Sequence, residues 1–139
     1  MVGCCGRVGN FLLITWRRLM VDGETCQRCS ETEKELEKAI SVLKMTLEPF
    51  GIQVYLEKEE ISLEEFKKDP LASNQILVNG IPIEKILGAK AGKSECCDVC
   101  APYECRTIEL SGEVYEVPSS EMIVKASMIA VRGLLGSCC

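Results

Sequence analysis

No histidine occurs among the 139 residues. That absence removes imidazole acid–base chemistry, Cys-His nucleophilic catalysis and every mixed Cys/His zinc site. Basic clusters are scarce as well: 16 Lys and Arg stand against 21 Asp and Glu, the formal net charge is −5, and no basic run exceeds a pair. Counterion release then has no source, and no nucleic-acid partner is expected. Long apolar runs are also missing. "FLLITW" and "MIAV" fall far short of the roughly 20 residues that span a bilayer, and "MVGCCGRVGN" lacks the apolar centre of a signal peptide. The expectation is a cytoplasmic protein with no membrane span.

What the chain has in plenty is cysteine, ten residues of it. Without an export signal, ten thiols point to metal binding or redox work, because the cytosol keeps thiols reduced. The apolar share of 47% and charged share of 27% describe one globular domain able to bury a core without disulfides. The end pairs Cys4, Cys5 and Cys138, Cys139 match none of the common lipidation patterns.

Residues 11 to 20, "FLLITWRRLM", read as a buried first strand. Leu36, Ile40, Leu43 and Leu47 then mark one face of a helix running to Pro49, and seven residues back along that stripe lies Cys29, which should face inward. "GIQVYLE" alternates Ile52, Val54 and Leu56 against polar neighbours, as a half-buried strand does. "SLEEFKKDP" carries Ser62 and Glu65 in capping-box register and stops at Pro70. Asn79-Gly80 in "QILVNGIPIEKIL" is a strong hairpin signal, with Pro82 marking its second arm as an edge strand. Residues 88 to 106 show no periodicity and read as a long Cys-rich loop. A second hairpin is expected around Ser111-Gly112, and a last helix capped by Ser119 or Ser120 with Met122, Ile123, Ala126, Ile129 and Ala130 inward.

Two cysteine groups carry the chemistry. In "GETCQRCSETE", Cys26 stands where the first strand gives way to the first helix, so backbone N–H groups and the helix dipole favour its thiolate, lowering its pKa from about 8.5 toward neutrality. Arg28 acts in the same direction. Glu24, Glu31 and Glu33 oppose it, and Ser30 with Glu33 forms a rival capping box that would start the helix after the CxxC. The alternative, two small buried hydrophobes, fits poorly with a loop of Gly, Glu, Thr, Gln and Arg. The second group, Cys96, Cys97, Cys100 and Cys105, packs four thiols into ten residues at spacings common in thiolate sites. Arg106 reads as an exposed residue opening a strand, and Glu84 as a polar residue on an edge strand.

The order strand, helix, strand, helix, hairpin, helix with a CxxC after the first strand resembles the thioredoxin fold. "CQRC", "ILVNGIPIE", the CxxCxxxxCR segment and the final amphipathic helix more closely resemble a family of small, cysteine-rich, thioredoxin-like prokaryotic proteins of unknown function, over about residues 11 to 132. The resemblance implies an α/β fold with a mixed sheet of about four strands flanked by helices, the first two strands parallel, and an extra small hairpin before the last helix. It also implies that Cys26, Cys29, Cys96, Cys97, Cys100 and Cys105 gather at one sheet edge, with the terminal pairs at the other. Redox-active thioredoxin relatives place a cis-proline before the third strand; this chain has Ser73, Asn74 and Gln75 there.

Two functions follow. In the first, the chain is a thiol-disulfide redox protein in which Cys26 attacks, Cys29 resolves, and a protein disulfide or dithiol is the partner. In the second, the six thiols bind or hand on a soft metal or metalloid such as zinc, an iron–sulfur centre, arsenic or mercury, between a donor and an acceptor.

Overall fold

The computed structural model describes residues 11–20, 27–95 and 104–136. Among these residues seven strands and four α-helices follow in the order β1 (Phe11–Leu19), α1 (Gln27–Leu47), β2 (Gln53–Ile61), α2 (Leu63–Lys68), β3 (Gln75–Val78), β4 (Ile81–Pro82), α3 (Ile83–Leu87), β5 (Lys90–Glu95), β6 (Glu104–Leu110), β7 (Glu113–Tyr115) and α4 (Ser120–Gly136). The main sheet has the order β2-β1-β3-β4, and β5-β6-β7 form a second, antiparallel sheet. β1 and β2 run parallel from Phe11↔Gln53 to Leu19↔Ile61, whereas β3 runs antiparallel to β1, with Gln75 opposite Arg17. The thioredoxin-like arrangement is therefore present, and the rim where β1 and β2 end is also where β3 begins.

Local chemistry accounts for most of these elements. β1 is central, so both of its faces are covered: Leu12, Ile14 and Trp16 are buried on one side, Thr15 and Leu19 on the other. β2 lies at an edge and alternates as expected, with Val54 buried between exposed Gln53 and Tyr55. Ser62 and Glu65 close the capping box of α2 reciprocally. Asn79 and Gly80 both take positive φ, the geometry of a two-residue hairpin turn, and the Asn79 carboxamide oxygen accepts from Leu13 N–H at 2.8 Å. Ser111 and Gly112 turn β6 into β7 in the same way.

The inward stripe of α1 runs Cys29, Thr32, Leu36, Ala39, Leu43, Leu47, with Ile40 on its flank. α1 and α4 pack on each other and against β2 and β3 respectively. In α4 most of the expected stripe is inward: Met122, Ile123 and Ala126 are buried and Ala130 packs against the core, joined by Ser127 and Val131, while Ile129 is 38% exposed. Ser127 is tolerated inside because its hydroxyl donates to the Ile123 carbonyl. Ser119 caps α4 by accepting from Met122 N–H. Two further expectations change. The second arm of the first hairpin stops after two residues and continues as α3, and the head of the supposed long loop is strand β5, which exists through its pairing with β6.

Candidate thiol site

Among the described residues α1 runs Gln27–Leu47, so Ser30 and Glu33 lie inside it and the rival capping box does not set its start. Glu33 is engaged elsewhere: its carboxylate pairs with Lys58 from β2 and lies 3.7 Å from an Arg18 guanidinium nitrogen from β1. Two cations thus offset one of the acidic charges expected to oppose a thiolate near the start of α1. Arg18 also reaches Glu60 at 3.5 Å and sits 5.4 Å from the centroid of the Trp16 ring.

Cys29 is 1% exposed, on the first turns of α1. One turn further, Thr32 is buried and its hydroxyl accepts from the Asn74 carboxamide nitrogen at 2.9 Å, while the carboxamide oxygen accepts from the Trp16 indole N–H at 2.9 Å. Asn74 immediately precedes β3, is 4% exposed and has φ of 60°. A carboxamide at this position therefore joins β1, β3 and α1 through buried polar contacts.

The second cysteine segment is anchored to the same stretch of chain. Glu95 and Glu104 pair across β5 and β6, so residues 96 to 103 connect the ends of a hairpin, and Cys105 takes its place in β6 opposite Ser94. The next residue, Arg106, is 7% exposed. Its Nε donates to Glu84 Oε2 at 2.7 Å, and its Nη1 donates to the Leu71 carbonyl. Leu71 belongs to the short 3-10 turn Pro70–Ala72 that leads into Ser73 and Asn74. Residues 71 to 74 therefore contact β6 through Arg106 and α1 through Asn74.

Glu84 is 5% exposed, in α3, and its Oε1 has no hydrogen-bond partner among the described residues; the same holds for the buried Ser73 hydroxyl. Sequence reasoning missed the Glu84–Arg106 pair. Asn74 did carry a readable signal, an Asn just ahead of a strand, since Asn tolerates positive φ better than most residues.

Of the six cysteines expected together, Cys29 and Cys105 fall in described elements; Cys26, Cys96, Cys97 and Cys100 lie outside the described residues, as do Cys4, Cys5, Cys138 and Cys139. Among the described residues no three Cys, Asp or Glu side chains are arranged to hold an ion. No helix among them is long and apolar enough to cross a membrane. An open groove of about 380 Å³ begins at Glu31, two residues after Cys29, and runs past Lys34, Glu35 and Lys38 beside Val117 and Ser119.

No solved structure matches the chain. An uncharacterized protein from Archaeoglobus fulgidus is 47% identical over 112 residues, covering 81% of this chain and 82% of the relative. The model of a domain of unknown function, DUF2703, matches residues 12–127, and the chain belongs to that family.

Proposed function

We propose that the protein is a thiol-disulfide exchange protein working through Cys26 and Cys29. The observation that carries this reading is Cys29, buried on the inward face of α1 in the first described turns of the helix. A thiol at a helix N-terminus faces unpaired N–H groups and the positive end of the dipole, which favour a thiolate, and the proposal gives that role to Cys26. The Cys26 thiolate attacks a partner disulfide, forming a mixed disulfide and releasing one partner thiolate. Cys29 then gives up its proton and attacks the Cys26 sulfur, releasing the second partner thiolate. Two electrons pass to the partner, and the Cys26–Cys29 disulfide is left for an external dithiol to reduce.

Reduction of a protein disulfide by the full chain is expected to vanish in Cys26→Ser. In Cys29→Ser it is expected to stall as a trapped mixed disulfide. Activity that survives Cys26→Ser would refute the reading.

A second reading has one observation in its favour. Residues 71 to 74 contact both the helix carrying Cys29 and the strand carrying Cys105, an arrangement suited to six thiolates serving one soft metal or metalloid. Elemental analysis of protein purified without oxygen separates the two. Stoichiometric metal, lost on substitution in either cysteine group, supports the second reading; an oxidisable pair without metal supports the first.

A further inference from the structure

We infer that Asn74 is a positioning residue for the dithiol, holding the turn of α1 that carries Cys29 in register with the sheet rim; this rests on the thiol-exchange reading. Closure of a disulfide requires two sulfurs to come within about 2 Å at a restricted torsion. A resolving thiol is effective in proportion to the time its helix turn spends in that orientation.

Apolar packing alone constrains that orientation loosely, since a helix can roll or slide on a smooth face. The Asn74 contacts are directional. The carboxamide oxygen is fixed by Trp16 Nε1 and the nitrogen by Thr32 Oγ1, each at 2.9 Å, and all three residues are buried. Thr32 lies three residues after Cys29 on the same inward stripe, so what holds one holds the other. Asn74 itself adopts a positive φ that few residues tolerate. Among common side chains Asn combines that backbone with one acceptor and one donor on a short stem.

The experiment equilibrates the full chain with reduced and oxidised glutathione and reads the 26–29 disulfide by peptide mass spectrometry. Asn74→Gly keeps the left-handed backbone without strain and deletes the carboxamide. Thr32→Val removes the acceptor at the far end with little change of shape. Each is expected to lower the effective concentration with which Cys29 closes on Cys26 by about fivefold, the effect of one buried hydrogen bond. Val54→Ala, opposite Leu12 at the other end of the sheet, controls for general destabilisation and should leave closure unchanged.

Closure in both variants within about twofold of the parent overturns the inference while leaving thiol exchange intact. So does a Val54→Ala effect as large as theirs. A parent that forms no 26–29 disulfide at any glutathione ratio overturns the exchange reading and this inference together. Should Asn74→Gly fail to fold, Thr32→Val decides.

Discussion

Replacing Arg106 by Met tests how the small sheet is held to the large one. Among the described residues the guanidinium is the one hydrogen-bond partner of a Glu84 carboxylate that is 5% exposed and whose other oxygen has none. Removing one member of a buried pair leaves an uncompensated charge, which costs about 3–5 kcal/mol. The Leu71 carbonyl loses a donor as well, about 1 kcal/mol within that range. For a chain of this size the loss corresponds to a fall in Tm of about 10–15 °C. Urea unfolding at neutral pH measures it directly. The double variant Glu84→Gln with Arg106→Met removes both charges and should recover about half of the loss, a coupling that a double-mutant cycle reads. Hydrogen exchange should quicken in β5 and β6 before β1 and β3, because the severed contacts join those two bodies. A cost below about 1 kcal/mol for Arg106→Met, or no coupling to Glu84, would refute the argument.

Other perturbations follow from single contacts. The Ser120 backbone N–H donates to Glu35 at 2.9 Å, and this bond, with help from Lys38, holds the Glu35 carboxyl below its ordinary value of 4.5. The ionised form is the one favoured in the folded state, so its contribution is present above pH 4.5 and is lost as pH falls through the lowered folded value. Glu35→Gln should therefore cost no more than about 1 kcal/mol at neutral pH, with the difference from the parent shrinking in acid, as thermal melts across pH would show. Ser62→Ala breaks the capping box of α2 and should cost about 1 kcal/mol in urea titration. At Gly92 a Cβ would stand 2.8 Å from the Thr107 hydroxyl across the β5–β6 ladder, and Thr107 is buried. Gly92→Ala should therefore destabilise by about 1–3 kcal/mol, and Thr107→Ala in the same chain should restore most of it.

How far these features were legible depended on whether their cause was local. Capping at Ser62 and the turns at Asn79-Gly80 and Ser111-Gly112 are decided by a few adjacent residues, and each forms where the pattern places it. The periodicities of β1, β2 and α1 are equally local, and the α1 stripe alone puts Cys29 inward, where it is buried. "IPIEKIL" was not legible in the same way, because an apolar run of that length suits a strand or a short helix equally. β5, "KAGKSE", has no apolar period at all and becomes a strand only through β6. Glu84 and Arg106 are 22 residues apart and look like surface charges until the tertiary fold buries both. The rim that frames the candidate site therefore rests on contacts that no short window of sequence contains.

Those contacts share a physical character that bears on what the rim does. Buried polar ties are costly to desolvate, and well-packed apolar side chains of similar volume can stabilise as much or more. What the polar ties add is direction, because a hydrogen bond fails when its partners shift by about an ångström. Over residues 71 to 74 two such ties occur, Leu71 to Arg106 and Asn74 to Thr32, one toward each cysteine-bearing element. Four residues of backbone separate at most about 14 Å. Under the proposed thiol chemistry, such a pair keeps the helix carrying Cys29 and the strand carrying Cys105 in fixed relation. Severing either tie should therefore alter the reactivity of both cysteine groups. An Arg106→Met chain that still folds but whose Cys29 reacts as in the parent would show that the two ties act separately.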